Sequence, residues 1–218
     1  MDAENTGWAS RLMAILRYPA QLVGLNLLIV LGTVVGGVVL GLFPALRAGA
    51  ALLDALRRGT PSETLVRTFV AHYREDFWRS NLLGVPFWVL GALAVVDLQV
   101  FRVAAQAGDA FGSALLLPFV VVVTIAGVAL IYLAALGTRV REGVWATWRF
   151  VFVAPFAWLG TTIGVVLVLG AFLVGTWQLP WLVPLLGFSG PLFLALTLVG
   201  PRLDATLEPA DEPALDTH

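Results

Sequence analysis

The chain contains no cysteine and no lysine, and only 12% of its 218 residues are charged. Without thiols there are no disulfides, no thiolate nucleophile and no Cys-ligated metal, and nothing indicates the redox state of the compartment. His72 and His218 are too far apart in sequence to suggest a zinc site, so no metal and no cofactor is expected. A net charge of −1 with no basic stripe argues against nucleic acid as a partner. All thirteen basic residues are Arg, a bias that a GC-rich genome explains as readily as a need for guanidinium groups. There is also no convincing internal repeat, which weakens the case for an inverted-repeat transporter.

What the chain does contain is apolar. Hydrophobic residues make up 59% of it, whereas ordinary soluble domains are roughly 45–50% apolar and about 25% charged. Too little polar sequence remains to cover a core, so lipid is the natural solvent. The first apolar stretch follows Arg11 and Arg17 in the manner of a secretory signal. It runs past about twenty residues without a small-residue cleavage site, and so reads as an uncleaved membrane helix.

Apolar segments long enough to cross about 30 Å of hydrocarbon at about 1.5 Å per residue occur at 82–100, 111–136, 150–174 and 182–199. Residues 20–56 are too long for one crossing and contain Gly36, Gly37, Gly41 and Pro44. One reading has a single span at 22–43 followed by a surface helix, for five crossings in all. The other has a turn near Gly36-Gly37 between helices at 20–35 and 38–58, for six. With five crossings the arginines divide ten cytoplasmic to three outside. With six they divide eleven to one, with Arg47 inside a helix. The positive-inside rule therefore favours six helices with both termini cytoplasmic, in a bacterial inner membrane. Arg47 would then lie ten residues, about 15 Å, deeper than Arg57, where it needs a partner, a polar cavity or a route to the surface.

Gly59 falls where a helix stop is expected, and Thr60-Pro61-Ser62-Glu63 reads as a new start with a hydroxyl N-cap, Pro at N1 and Glu at N3. An amphipathic helix over 61–79 is expected to lie on the cytoplasmic surface, with Leu65, Val66, Phe69, Val70, Tyr73 and Phe77 recurring at helical spacing as its apolar positions. Trp145 and Trp148, and on the opposite side Trp177 and Trp181, sit where indoles favour the headgroup level. The expected architecture is one all-α polytopic bundle over 1–203, followed by a disordered acidic tail over 204–218.

Leu25-Asn26-Leu27-Leu28, Phe43-Pro44-Ala45 and Thr68-Phe69 resemble the YesL-like family of bacterial membrane proteins. So do His72-Tyr73-Arg74-Glu75-Asp76-Phe77 through Ser80, and Leu82-Leu83-Gly84. The resemblance covers roughly the first hundred residues. It implies a setting rather than a mechanism: the family's defining domain has no assigned activity, and its genes often accompany ATP-driven carbohydrate uptake systems. This chain departs from the family pattern in lacking Lys in the basic loop and in placing Arg47 where small or hydroxyl residues are more usual.

Four polar residues fall within apolar segments. Arg47 and Asp54 are seven residues apart and share a helix face, either as part of a polar path or as side chains reaching water. Asn26 reads as an interhelical tie or, less simply, as a substrate contact. Asp97 reads as a boundary carboxylate, with a proton or ion role as the alternative. On the 61–79 helix, Arg67, His72, Arg74, Glu75 and Arg79 form either a solvated face or a docking surface. His72 with Glu75 and Asp76 offers a base beside carboxylates but no nucleophile or metal-ligand companion, so no catalytic residue is assigned and no enzyme is expected. The Gly32/Gly36, Gly37/Gly41 and Gly160/Gly164 spacings permit close helix contact within one chain or between copies in a homo-oligomer. Besides the bilayer, the partners to consider are subunits of a carbohydrate transporter. In that reading the chain is an accessory or regulatory component, and the alternative is a small transporter or channel in its own right.

Overall fold

A computed structural model describes residues 5–136 and 143–207, with side chains from Tyr18 onward except at positions 111 and 113. The fold is all-helical over this range. The elements are α1 (Asn5–Val35), α2 (Leu42–Arg57), α3 (Leu65–Glu75), α4 (Phe77–Ala107), α5 (Ala110–Ala114), α6 (Leu116–Leu136), α7 (Val144–Ala157), α8 (Leu159–Gln178), α9 (Leu182–Leu186) and α10 (Ser189–Leu207).

The chain does turn after α1. Gly37 has φ 73°, a left-handed backbone that only glycine enters without cost. The amides of Gly37 and Val38 return to the carbonyls of Val34 and Thr33, closing the helix end. Gly36 and Gly41 then face each other so closely that a side chain on either would strike the opposite backbone. Gly32 meets Ala45 and Ile29 meets Gly49, so α2 runs back antiparallel to α1. The hairpin alternative is therefore the one observed, although α2 begins at Leu42 rather than at 38.

Helix α2 has 16 residues, about 24 Å, and is buried almost all round by α1, α3, α4, α6 and α10. Ala45, Ala48, Gly49 and Ala50 keep it slim, which lets the neighbouring backbones approach where lipid provides no hydrophobic drive. Its end bears out the Gly59 expectation. Gly59 (φ 76°) and Thr60 return their amides to Leu56 and Ala55. The hydroxyl of Thr60 also bonds Ala55, so it completes the end of α2 instead of capping a new helix. For that reason α3 starts at Leu65, four residues later than expected, and a break at Asp76 separates it from α4.

Among the described residues four helices are long and apolar enough to cross a membrane: Tyr18–Val35 within α1, Phe77–Ala107, Leu116–Leu136 and Leu159–Gln178. Leu159–Gln178 corresponds to the expected 150–174 crossing with shifted bounds, whereas the expected 38–58 and 182–199 crossings are not continuous apolar helices of spanning length. The 150–174 segment breaks at Trp158, just after Pro155, and the freed Pro155 carbonyl accepts from the Thr162 hydroxyl at 2.9 Å. The 182–199 segment breaks at Gly187, where a Cβ would strike the Val183 carbonyl. Beyond that break α10 runs to Leu207 and carries Arg202 and Asp204, so positions 204–207 are helical rather than part of a disordered tail. Residues 208–218, with the rest of that expectation, lie outside the described range, as do Arg139 and Arg141.

The buried core draws on α1, α2, α6 and α10, with Tyr132 fully enclosed and bonded to Thr162 at 3.0 Å.

Candidate functional site

Helix α3 does not rest on the bundle as a separate surface element. Leu65 meets Gly24, Phe69 meets Gly32, and Tyr73 meets Gly36, in the same order along both helices. The Tyr73 hydroxyl donates to the Gly32 carbonyl at 3.0 Å, and burial raises its pKa. Of the apolar positions read from the sequence, Leu65, Phe69 and Tyr73 are thus packed along the apolar segment of α1, whereas Val66 and Val70 are exposed and Phe77 begins α4. The opposite face presents Val66, Arg67, Val70, His72, Arg74 and Glu75 outward. Arg79, grouped with these residues from the sequence, belongs elsewhere: it lies on α4 and turns inward to the buried Thr147 hydroxyl of α7 at 3.3 Å.

The four polar residues within apolar segments are not brought together. Arg47, 7% exposed, reaches from α2 to Asp76 at 3.0 Å and to the Ser80 hydroxyl at 3.2 Å. It thereby holds the break between α3 and the start of α4. Asp54 lies at the other end of α2. It binds Arg57 at 2.9 Å and Arg58 at 3.0 Å, and both arginines also reach Asp204 of α10, at 2.9 and 3.3 Å. Burial opposes the charge on Arg57, but the hydrogen bonds to Asp54 and Asp204 outweigh it and raise its pKa. Two cations and two anions balance, which the largely buried Asp54 and Arg57 most require. Arg47 and Asp54 share a helix, as expected, yet they serve different neighbours.

Asn26 is fully buried and makes three bonds at the α9–α10 break. Its amide donates to the Pro184 carbonyl at 2.7 Å and accepts from the backbone of Phe188 at 2.9 Å and Ser189 at 3.2 Å. Non-helical backbone in an apolar bundle persists only when such groups are satisfied, and this one side chain satisfies three of them. Asn26→Leu is expected to leave all three without a partner and to destabilise the detergent-solubilised protein by about 2–4 kcal/mol, since each orphaned group costs about 1–3 kcal/mol before relaxation. A thermal melt followed by tryptophan fluorescence tests this. A loss no larger than that from Leu28→Ala would mean that the break is held by other contacts.

Asp97 stands apart from these networks, on an exposed stretch of α4. Among the described residues no three His, Cys, Asp or Glu side chains gather in a way that could hold a metal.

Sequence reasoning required a partner for Arg47 but did not identify Asp76 and Ser80. It also did not give Thr147, Pro184, Ser189 or Asp204 a role. The signal for Asp76 was present in the resemblance stretch ending at Ser80. Asp204 gave none, because its helix was taken to end before it.

Long apolar helices, a polar-poor composition and charged side chains that join helices together define a helical membrane protein. Residues 22–98 match the family described as "Protein of unknown function, DUF624". The resemblance to the YesL-like family read from the sequence rests on the same stretch and agrees with this match. The chain is also similar to the "Uncharacterized protein YteU" of Bacillus subtilis (strain 168), at 29% identity over 97 residues, which is 44% of this chain and 44% of that protein. The matched region therefore spans less than half the length of that curated relative. No solved structure matches. The matched region holds the α1–α2 hairpin, α3 and the Arg47–Asp76 pair.

Proposed function

We propose that the chain is an accessory protein of the bacterial cytoplasmic membrane, with both termini inside, and that the outward face of α3 docks a partner. The observation that carries this reading is the fixed orientation of α3. Leu65, Phe69 and Tyr73 anchor it to α1, while Val66 and Val70 stand exposed among Arg67, His72, Arg74 and Glu75. A rigid helix face with mixed apolar and charged positions suits protein recognition, where a small apolar patch supplies affinity and a charged rim supplies specificity. The setting implied by the resemblance makes the membrane subunits of an ATP-driven carbohydrate importer the first partners to test.

The alternative of a transporter or channel needs a polar path. Asn26, Arg47, Asp54 and Asp97 occupy four separate places, and the first three are engaged in joining helices.

The test is affinity purification of the tagged full chain in mild detergent, with and without Arg67→Glu and Arg74→Glu together. Both residues are exposed, so the double variant is expected to remain monodisperse. Importer subunits are expected to copurify with the parent and to fall by about tenfold in the variant, the loss expected from reversing charges at a docking rim. Equal recovery, or no importer subunit with the parent, overturns the proposal.

A further inference from the structure

A groove of about 680 Å³ lies between α4 and α6, with Phe43 of α2 among the residues that line it. Its volume is in the range of small-ligand pockets. The walls are apolar, formed by Phe87, Gly91, Phe119 and Val123 among others, and the only charged group on them is Asp97. Among the described residues Asp97 makes no hydrogen bond and no ion pair. A carboxylate in a membrane-crossing helix is costly and is almost always paired. Here no described residue supplies the cation.

Depth narrows the choice of what does. The uncharged run of α4 is bounded by Arg79 and Arg102 and contains Asp97 as its one exception. Those bounds are 23 residues apart, about 35 Å, close to the thickness of the hydrocarbon core. Asp97 lies five residues from Arg102, about 7.5 Å inside that boundary. The groove continues inward along α4 as far as Phe87, ten residues or about 15 Å from Asp97, which is about one leaflet's depth of hydrocarbon. A molecule that fits has an apolar chain pointing to the bilayer centre and a cation just below the headgroup level.

We propose that this groove binds one membrane phospholipid with a primary ammonium headgroup, its acyl chain lying against Phe43 and Phe87 and its ammonium donating to the Asp97 carboxylate. A primary ammonium carries three N–H donors, whereas the trimethylammonium of phosphatidylcholine carries none. The site therefore distinguishes the two headgroups by a charge-assisted hydrogen bond.

The experiment uses the purified full chain in nanodiscs of equimolar phosphatidylethanolamine and phosphatidylcholine with identical acyl chains, followed by native mass spectrometry after gentle detergent release. The parent is expected to retain one phosphatidylethanolamine with a preference of about tenfold, in keeping with one charge-assisted hydrogen bond. Asp97→Asn is expected to bring that preference close to unity while lipid is still retained. Gly91→Leu is expected to displace both lipids without unfolding the protein, because a Cβ at Gly91 meets no atom within 4 Å and the added side chain enters open groove. Equal retention of the two lipids by the parent overturns the proposal, as does an unchanged preference in Asp97→Asn. So does a dimer that weakens in Asp97→Asn while lipid retention stays the same, since a second copy would then provide the cation.

Discussion

Gly41→Ala is expected to open the α1–α2 hairpin and to produce a large loss of stability for a single added methyl group. A Cβ on Gly41 would press on the Thr33 carbonyl oxygen and would lie 2.7 Å from the Gly32 carbonyl oxygen. Both are backbone atoms, so no rotamer change relieves the clash. Overpacking normally costs about 1–3 kcal/mol, and the upper end or beyond applies when the obstacle is rigid. The damage should also extend past the turn. Gly32 and Gly36 receive Phe69 and Tyr73, so separating α1 from α2 also loosens α3. Gly91→Ala is the matched control, because its Cβ would enter open space. Thermal unfolding of the two variants in the same detergent measures the contrast. Melting curves that coincide would show that the two backbones do not approach this closely.

Asp54→Ala is expected to be nearly as damaging, for an electrostatic reason. Asp54 is almost fully buried and accepts from Arg57 and Arg58, which lie at the junction of α2 with α10. Removing the carboxylate leaves the largely buried guanidinium of Arg57 with Asp204 as its remaining carboxylate partner. Breaking a buried ion pair from one side costs about 3–5 kcal/mol, far more than the net contribution of the intact pair, because the remaining charge stays desolvated. The continued contact with Asp204 places the expected loss near the lower end. Asp204→Ala should cost less, since Asp204 is 26% exposed and water replaces part of what is lost. The order Asp54→Ala worse than Asp204→Ala, read from midpoint temperatures in detergent, is the specific outcome. Equal melting temperatures for Asp54→Ala and the parent would mean that this cluster is hydrated.

The two predictions also show why part of the architecture was legible in the sequence. The turn near Gly36-Gly37 was readable because paired glycines inside an apolar run have few other uses, and because the arginine distribution favoured it. Gly59 was readable as a helix stop from its position alone. The amphipathic pattern of Leu65, Val66, Phe69, Val70, Tyr73 and Phe77 was readable from its 3.6-residue period, but not that Val66 and Val70 would face outward. What lies against the packed side was not readable either, since periodicity identifies a buried stripe without naming its neighbour. The breaks at Trp158 and Gly187 were missed because hydropathy averages over a window. A Pro or Gly inside a strongly apolar run barely lowers the mean, although it interrupts the hydrogen-bond ladder completely. Asp204 was missed for the related reason that a helix can extend beyond its apolar portion when its charges find partners.

Composition and the length of the apolar runs were enough to establish a helical membrane protein, because the cost of exposing backbone and apolar surface depends only on local sequence and solvent. The grouping of the polar residues required the tertiary structure. Arg47 and Asp54 lie on one helix face in sequence, yet Arg47 turns to α4 and Asp54 anchors α10. Asn26 seals a helix break more than 150 positions away. An ion pair or a buried amide is decided by which helices pack side by side, and in this chain that packing follows from where small residues let backbones meet, a three-dimensional fit that no local pattern encodes.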